Sequence, residues 1–176
     1  MTDTIFIPAA DPGALDKARK AAFLTASELM RHMTADLDDS ESGLLVQVLN
    51  GGGRVGIEMT LDKHRVPHVS VIAVELEGTR HVLAEAAADP PGYAEDWRAC
   101  VRACCQLLEL MDPILDADKR EALFAVVEGG GNVGMELLVD LRKGNHAALI
   151  AIEQEGCRRQ LANVVTIGRH ANTTLH

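Results

Sequence analysis

Two runs of three glycines, Gly51-Gly52-Gly53 followed by Arg54 and Gly129-Gly130-Gly131 followed by Asn132, are the first residues whose type and spacing could do chemistry. Consecutive glycines can turn several backbone amides toward one anion, and two such loops brought together could hold a phosphate or a carboxylate. The polar strand-face residues Glu58 and Glu136 complete a candidate ligand-binding set with Gly51, Gly52, Gly53, Arg54, Gly129, Gly130, Gly131 and Asn132. The competing reading is a pair of bends between strands. A phosphate loop leads into a helix, and the Walker form also carries Lys-Ser/Thr after its last glycine, which neither run does.

A second set is charged and occurs twice: Glu58/Glu136, Asp62/Asp140, His68/His146, Glu75/Glu153 and Glu77/Glu155. Imidazole and carboxylate together suit a divalent ion. The spacing is equally that of strand faces, and Glu77 stands where a hairpin would set it against Arg80. Cys100, Cys104 and Cys105 share one helical stretch whose counterparts are Ala22, Ala26 and Ser27, so the thiols read as small packing groups. There is no Gly-x-Ser-x-Gly, His-Glu-x-x-His or dinucleotide fingerprint, so no catalytic residue is assigned.

These residues recur because the chain reads as one unit written twice. Setting Ile5 against Leu83 and continuing to Ala86 against Val164 gives 27 identities in 82 positions without a gap, where chance gives about 6. The expected fold is α+β, a tandem duplication of a β-α-β-β-β unit with a 78-residue period, in which antiparallel sheets are each packed by one helix and related by a pseudo-twofold axis. Residues 1–79 form the first lobe, 80–167 the second with a closing strand, and 168–176 a loose tail, both lobes making one compact domain.

Within the unit, residues 4–8 read as a strand. Asp11-Pro12 and Asp89-Pro90 then read as helix caps, with proline at a position that needs no amide hydrogen. Leu15, Ala18, Ala22, Ala26, Leu29, Met30, Met33 and Leu37 make one helical stripe, repeated by Trp97, Cys100, Val101, Cys104, Leu107, Leu108, Met111 and Leu115. After the polar break at 38–42, the apolar run 44–49 reads as a strand that the glycines join to the alternating strand 55–61. The stretches 68–77 and 146–155 are apolar on both faces, which calls for a helix on one side and the sister lobe or another subunit on the other. Glu77-Gly78-Thr79-Arg80 reads as a two-residue hairpin, and a last strand is expected over 160–167.

The order strand, helix, three strands, repeated once, resembles that of the vicinal oxygen chelate enzymes. That resemblance implies a metal held by residues of the first and last strands of each module, here Asp3, Glu75, His81 and Glu153. Composition points elsewhere. A net charge of −9 with scattered basic residues and five aromatics disfavours a nucleic-acid binder. No apolar run reaches membrane-spanning length, and with no cofactor motif none is expected. The leading expectation is therefore a non-catalytic cytoplasmic binding protein, of adaptor, chaperone, regulator or inhibitor type and able to form a homodimer, that presents a sheet or helix surface to a protein partner. A small anionic ligand at the glycine loops is the alternative, and the metal-dependent enzyme a third.

Overall fold

A computed structural model describes residues 12–140 and 144–164; the expected first strand at 4–8 and the tail lie outside them. Helices α1 (Pro12–Ala35) and α2 (Asp39–Asn50) lead into strands β1 (Arg54–Leu61), β2 (Pro67–Val74) and β3 (Arg80–Ala86). Then come α3 (Ala94–Met111), a 3₁₀ turn at Asp112–Ile114, α4 (Ala117–Glu128), and strands β4 (Asn132–Val139), β5 (His146–Ile152) and β6 (Arg158–Asn163). Among the described residues no helix is long and apolar enough to cross a membrane.

All six strands lie in one antiparallel sheet, ordered β3-β2-β1-β4-β5-β6. This corrects the expectation of separate sheets with one helix apiece. The two halves join edge to edge through β1 and β4, in a register that runs from Val55 opposite Val139 to Leu61 opposite Val133 with Glu58 opposite Glu136 at its middle. Among the described residues each half therefore extends the other's sheet and does not lie over β2 or β5.

The two long helices pack on each other and on one face of the sheet. Ala18, Ala22, Ala26, Leu29 and Met33 of α1 meet Trp97, Cys100, Cys104, Leu107 and Met111 of α3 in a single core with Ile57, Met59, Met135 and Leu149 beneath them. The helical stripes read from sequence are thus the buried faces. The small residues at 22, 26, 100 and 104 let the backbones approach, and Cys100 and Cys104 are free and fully buried. Hydrogen bonding to Cys100, reinforced by burial, raises the pKa of the Cys104 thiol well above its usual value and keeps it protonated.

The apolar run at 44–49 is helical, which corrects its reading as a strand. Asp38 accepts from the Glu41 amide at 2.7 Å while Glu41 accepts from the Asp38 amide at 3.0 Å, a capping box that starts α2. Asp116 likewise accepts from the Lys119 amide at 2.9 Å to start α4. Among the described residues each long helix is thus followed by a second helix before the next strand, where the expected order had strands alone. This departs from the vicinal oxygen chelate order.

Two turns also differ from expectation. Asp89 takes a left-handed φ of 50° and α3 begins only at Ala94, because Pro90, Pro91 and the left-handed Gly92 postpone it. Asp89 instead accepts from Arg98 at 2.6 Å. The β2–β3 hairpin has three residues between Glu75 and Thr79, with the Glu75 amide bonded to the Thr79 carbonyl and Gly78 at φ 104°. That is a type I turn closed by a left-handed glycine, and the β5–β6 hairpin repeats it at Gly156.

Candidate functional site

Each glycine run ends a helix. The amides of Gly51, Gly52 and Gly53 donate to the carbonyls of Gln47, Leu49 and Val48, and those of Gly129, Gly130 and Gly131 to Ala125, Val127 and Val126. The middle glycine of each run is left-handed, at 82° and 83°. A Cβ on the third would collide with backbone, the Val74 carbonyl at Gly53 and the Ile152 carbonyl at Gly131. The runs are thus C-terminal caps that press a helix end onto a strand. The amides an anion needs are already donating, and antiparallel pairing puts the two loops at opposite ends of the β1–β4 pair, roughly 25 Å apart by strand rise. The structure does not bring these loops together. Arg54 and Asn132 go with them to the two ends.

Glu58 and Glu136 are brought together. They lie directly opposite on the sheet face away from the helices, and like charges in that position repel. Arg80 resolves the conflict by donating from Nη2 to Glu58 at 2.6 Å and from Nη1 to Glu136 at 2.5 Å. Arg158 does the same from the other side, Nη1 to Glu58 and Nη2 to Glu136. Arg80 starts opposite Val74 on β3, so its side chain crosses β2, and Arg158 crosses β5 from opposite Ile152. Their methylene stems lie over this face, where Ile72, Val74, Leu138 and Ile150 are buried. Two charges of each sign cancel, and Glu136 is only 5% exposed. The quartet is a clamp across the sheet's centre. Sequence reading found the glutamates but assigned Arg80 to Glu77; the signal for the arginines was that positions 80 and 158, separated by the same 78 residues as Glu58 and Glu136, are both arginine.

The proposed metal positions are distributed over two hairpins. His81 meets Glu75 at 2.6 Å in one, and Arg159 meets Glu153 at 2.5 Å in the other. Hydrogen bonds from Glu77 and then His81 lower the pKa of Glu75. Among the described residues no group of three or more His, Cys, Asp or Glu could hold a metal ion; Asp3 lies outside them. His68 stands 3.6 Å from Asp62, whose pKa is lowered chiefly by the Val66 amide.

His146 is half-buried at the end of the charged face. Burial is the main cause of its lowered pKa; Arg54 and more weakly Arg19 add to it, and Glu136 opposes it. The folded chain therefore prefers neutral imidazole. Its contribution to stability is complete above the usual 6.5 and is lost as pH falls from there through the lower folded value. His146→Gln is expected to flatten the decline of the urea midpoint between about pH 7 and 5. An unchanged decline would remove His146 from the acid response.

Two clefts lie between a short helix and the neighbouring hairpin. The one beside α4, lined by Ala122, Ala125, Val126, Glu153, Glu155 and Arg159, holds about 300 Å³. The one beside α2, lined by Gln47, Val48, Glu75, Leu76 and Glu77, holds about 60 Å³. Ala125 stands four residues before Gly129 as Gln47 stands four before Gly51, so alanine opens the one cleft and glutamine narrows the other. No family model, curated protein or solved structure matches the chain.

Proposed function

We propose that the protein is a non-catalytic binding scaffold, a tandem duplication with pseudo-twofold symmetry, that docks a protein partner on its short helices. The observation that supports this reading is that α2 and α4 each leave a large apolar side chain exposed while others of their apolar residues pack inward. Leu44, Leu45 and Val48 of α2 pack inward while Val46 is 55% exposed, and on α4 Leu123 and Val126 pack inward while Phe124 is 62% exposed. Leu76 is 70% exposed on the hairpin tip that borders the α2 cleft. Large apolar side chains grouped on a surface are the usual anchors of an interface. The acidic balance of the chain favours a partner with basic residues around its apolar anchors.

The test is to purify the full chain from its host after cross-linking, as wild type and as Val46→Glu/Phe124→Glu. Both substitutions fall on exposed helical positions, so circular dichroism should be unchanged. The wild type should carry a partner protein in fixed stoichiometry, and the double variant should lose it by about tenfold or more, the loss expected when interface anchors are replaced. Recovery of the bare chain alone, or a partner held equally by both, would overturn the reading. The anion-binding alternative has less support, since the glycine amides are internally bonded.

A further inference from the structure

Resting on that reading of α4 as a docking face, we infer that the cleft between α4 and the β5–β6 hairpin receives a lysine or arginine side chain of the partner. Its floor is made of the methyl groups of Ala122, Ala125 and Val126, which suit the methylene stem of a long basic side chain. Its polar rim is Glu153, Gln154, Glu155 and Arg159. Arg159 is occupied by Glu153 at 2.5 Å. Glu155 makes no hydrogen bond or ion pair to another described residue, so it is the rim carboxylate left for an incoming cation.

The backbone adds to this preference. The cleft opens at the C-terminal end of α4, where the helix dipole is negative and no basic residue stands in the last turn. An anion would meet that end and two carboxylates against the single guanidinium of Arg159, itself paired with Glu153, and no spare glycine amide. About 300 Å³ is the lower bound of small-ligand sites and is ample for one side chain. The α2 cleft differs in the residues that matter: Gln47 replaces Ala125 and Leu76 replaces Gln154, leaving about 60 Å³. The basic-side-chain site therefore belongs to one half of the protein.

The full chain, labelled with ¹⁵N, would be titrated with the Nα-acetyl methylamides of lysine, arginine and norleucine, the last matching the stem without the charge. The two cations should shift the amide signals of Gly129, Gly130, Gln154 and Glu155, and norleucine should not. Ala125→Gln, which fills the cleft as Gln47 fills its counterpart, and Glu155→Gln, which removes the charge, should each weaken the response about tenfold. Unchanged spectra elsewhere would show that both variants fold. A response equal for norleucine, absent from the cleft amides, or intact in Ala125→Gln overturns the inference.

Phe124→Glu separates the two readings, because it removes the docking anchor and leaves the cleft. Partner loss in that variant, with no cationic response at the cleft in any variant, would sink the side-chain site and keep the docking face. A cationic response in a chain that carries no partner would sink the docking face and keep the site.

Discussion

Gly134→Ala is expected to destabilise the protein by about 3 kcal/mol, read as a lowered urea midpoint with an unchanged slope. Gly134 lies opposite Thr60 in the β1–β4 ladder, and a Cβ there would fall against the Met59 carbonyl and the Thr60 backbone. Gly56, opposite Leu138, meets the Leu137 carbonyl in the same way. The obstacle in each case is the main chain of the neighbouring strand, which cannot turn aside as a side chain can. Alanine must therefore push apart the β1–β4 seam, which among the described residues is what joins the two halves of the sheet. Gly56→Ala should cost a similar amount, and the pair should couple because both act on one ladder.

Gly43 is the control. It sits in α2 with nothing within 4 Å of where its Cβ would be. Gly43→Ala is expected to stabilise by about 1 kcal/mol through helix propensity alone. If Gly134→Ala and Gly56→Ala unfold at the wild-type midpoint, the seam is not closely packed and the halves are joined by other means.

The same glycines show what the sequence could and could not convey. The stripes of α1 and α3 were legible because a helix buries one face and its apolar residues must recur at three and four. The doubly apolar centres of β2 and β5 were legible for the corresponding reason. The helical state of 44–49 was hidden, since Leu44, Leu45, Val46, Val48 and Leu49 satisfy a strand as well as a helix. The decision lay in Asp38 and Glu41, which read as a polar break and act as a capping box.

That one misreading changed the meaning of the triple glycines. After a strand they would be a bend with free amides; after a helix they are a cap whose amides are taken. The pairing of β1 with β4 was also beyond local pattern, because it joins residues far apart in the chain. Glu58 and Glu136 could be named as an equivalent pair. That they face each other, and that two arginines cross the sheet to reach them, follows only from the register.

Glu136→Ala should produce the other large effect, a loss of about 3 kcal/mol, because it leaves Arg80 and Arg158 converging on Glu58 alone over a mostly buried surface. Arg80→Ala should cost a similar amount by leaving two opposed carboxylates with one guanidinium. The double variant should be more stable than the sum of the two losses implies, by on the order of 1–3 kcal/mol, since each change relieves the imbalance left by the other. An exposed ion pair would give less than about 1 kcal/mol and disappear in salt. The quartet's effect should survive salt, because Glu136 is buried and both arginine stems lie across the sheet. Arg80→Lys should fail to rescue: an ammonium offers its donors from one nitrogen, whereas Arg80 reaches Glu136 and Glu58 from the two separate nitrogens of a planar fork. Replacing all four residues by apolar ones of similar size should restore most of the stability. That outcome would mean the charges mainly fix which residues of β1 and β4 stand opposite each other, since a one-residue slip would part Glu58 from Glu136 and strand both arginines. If instead the apolar quartet stays as unstable as Glu136→Ala, the ion cluster itself holds the sheet's centre closed.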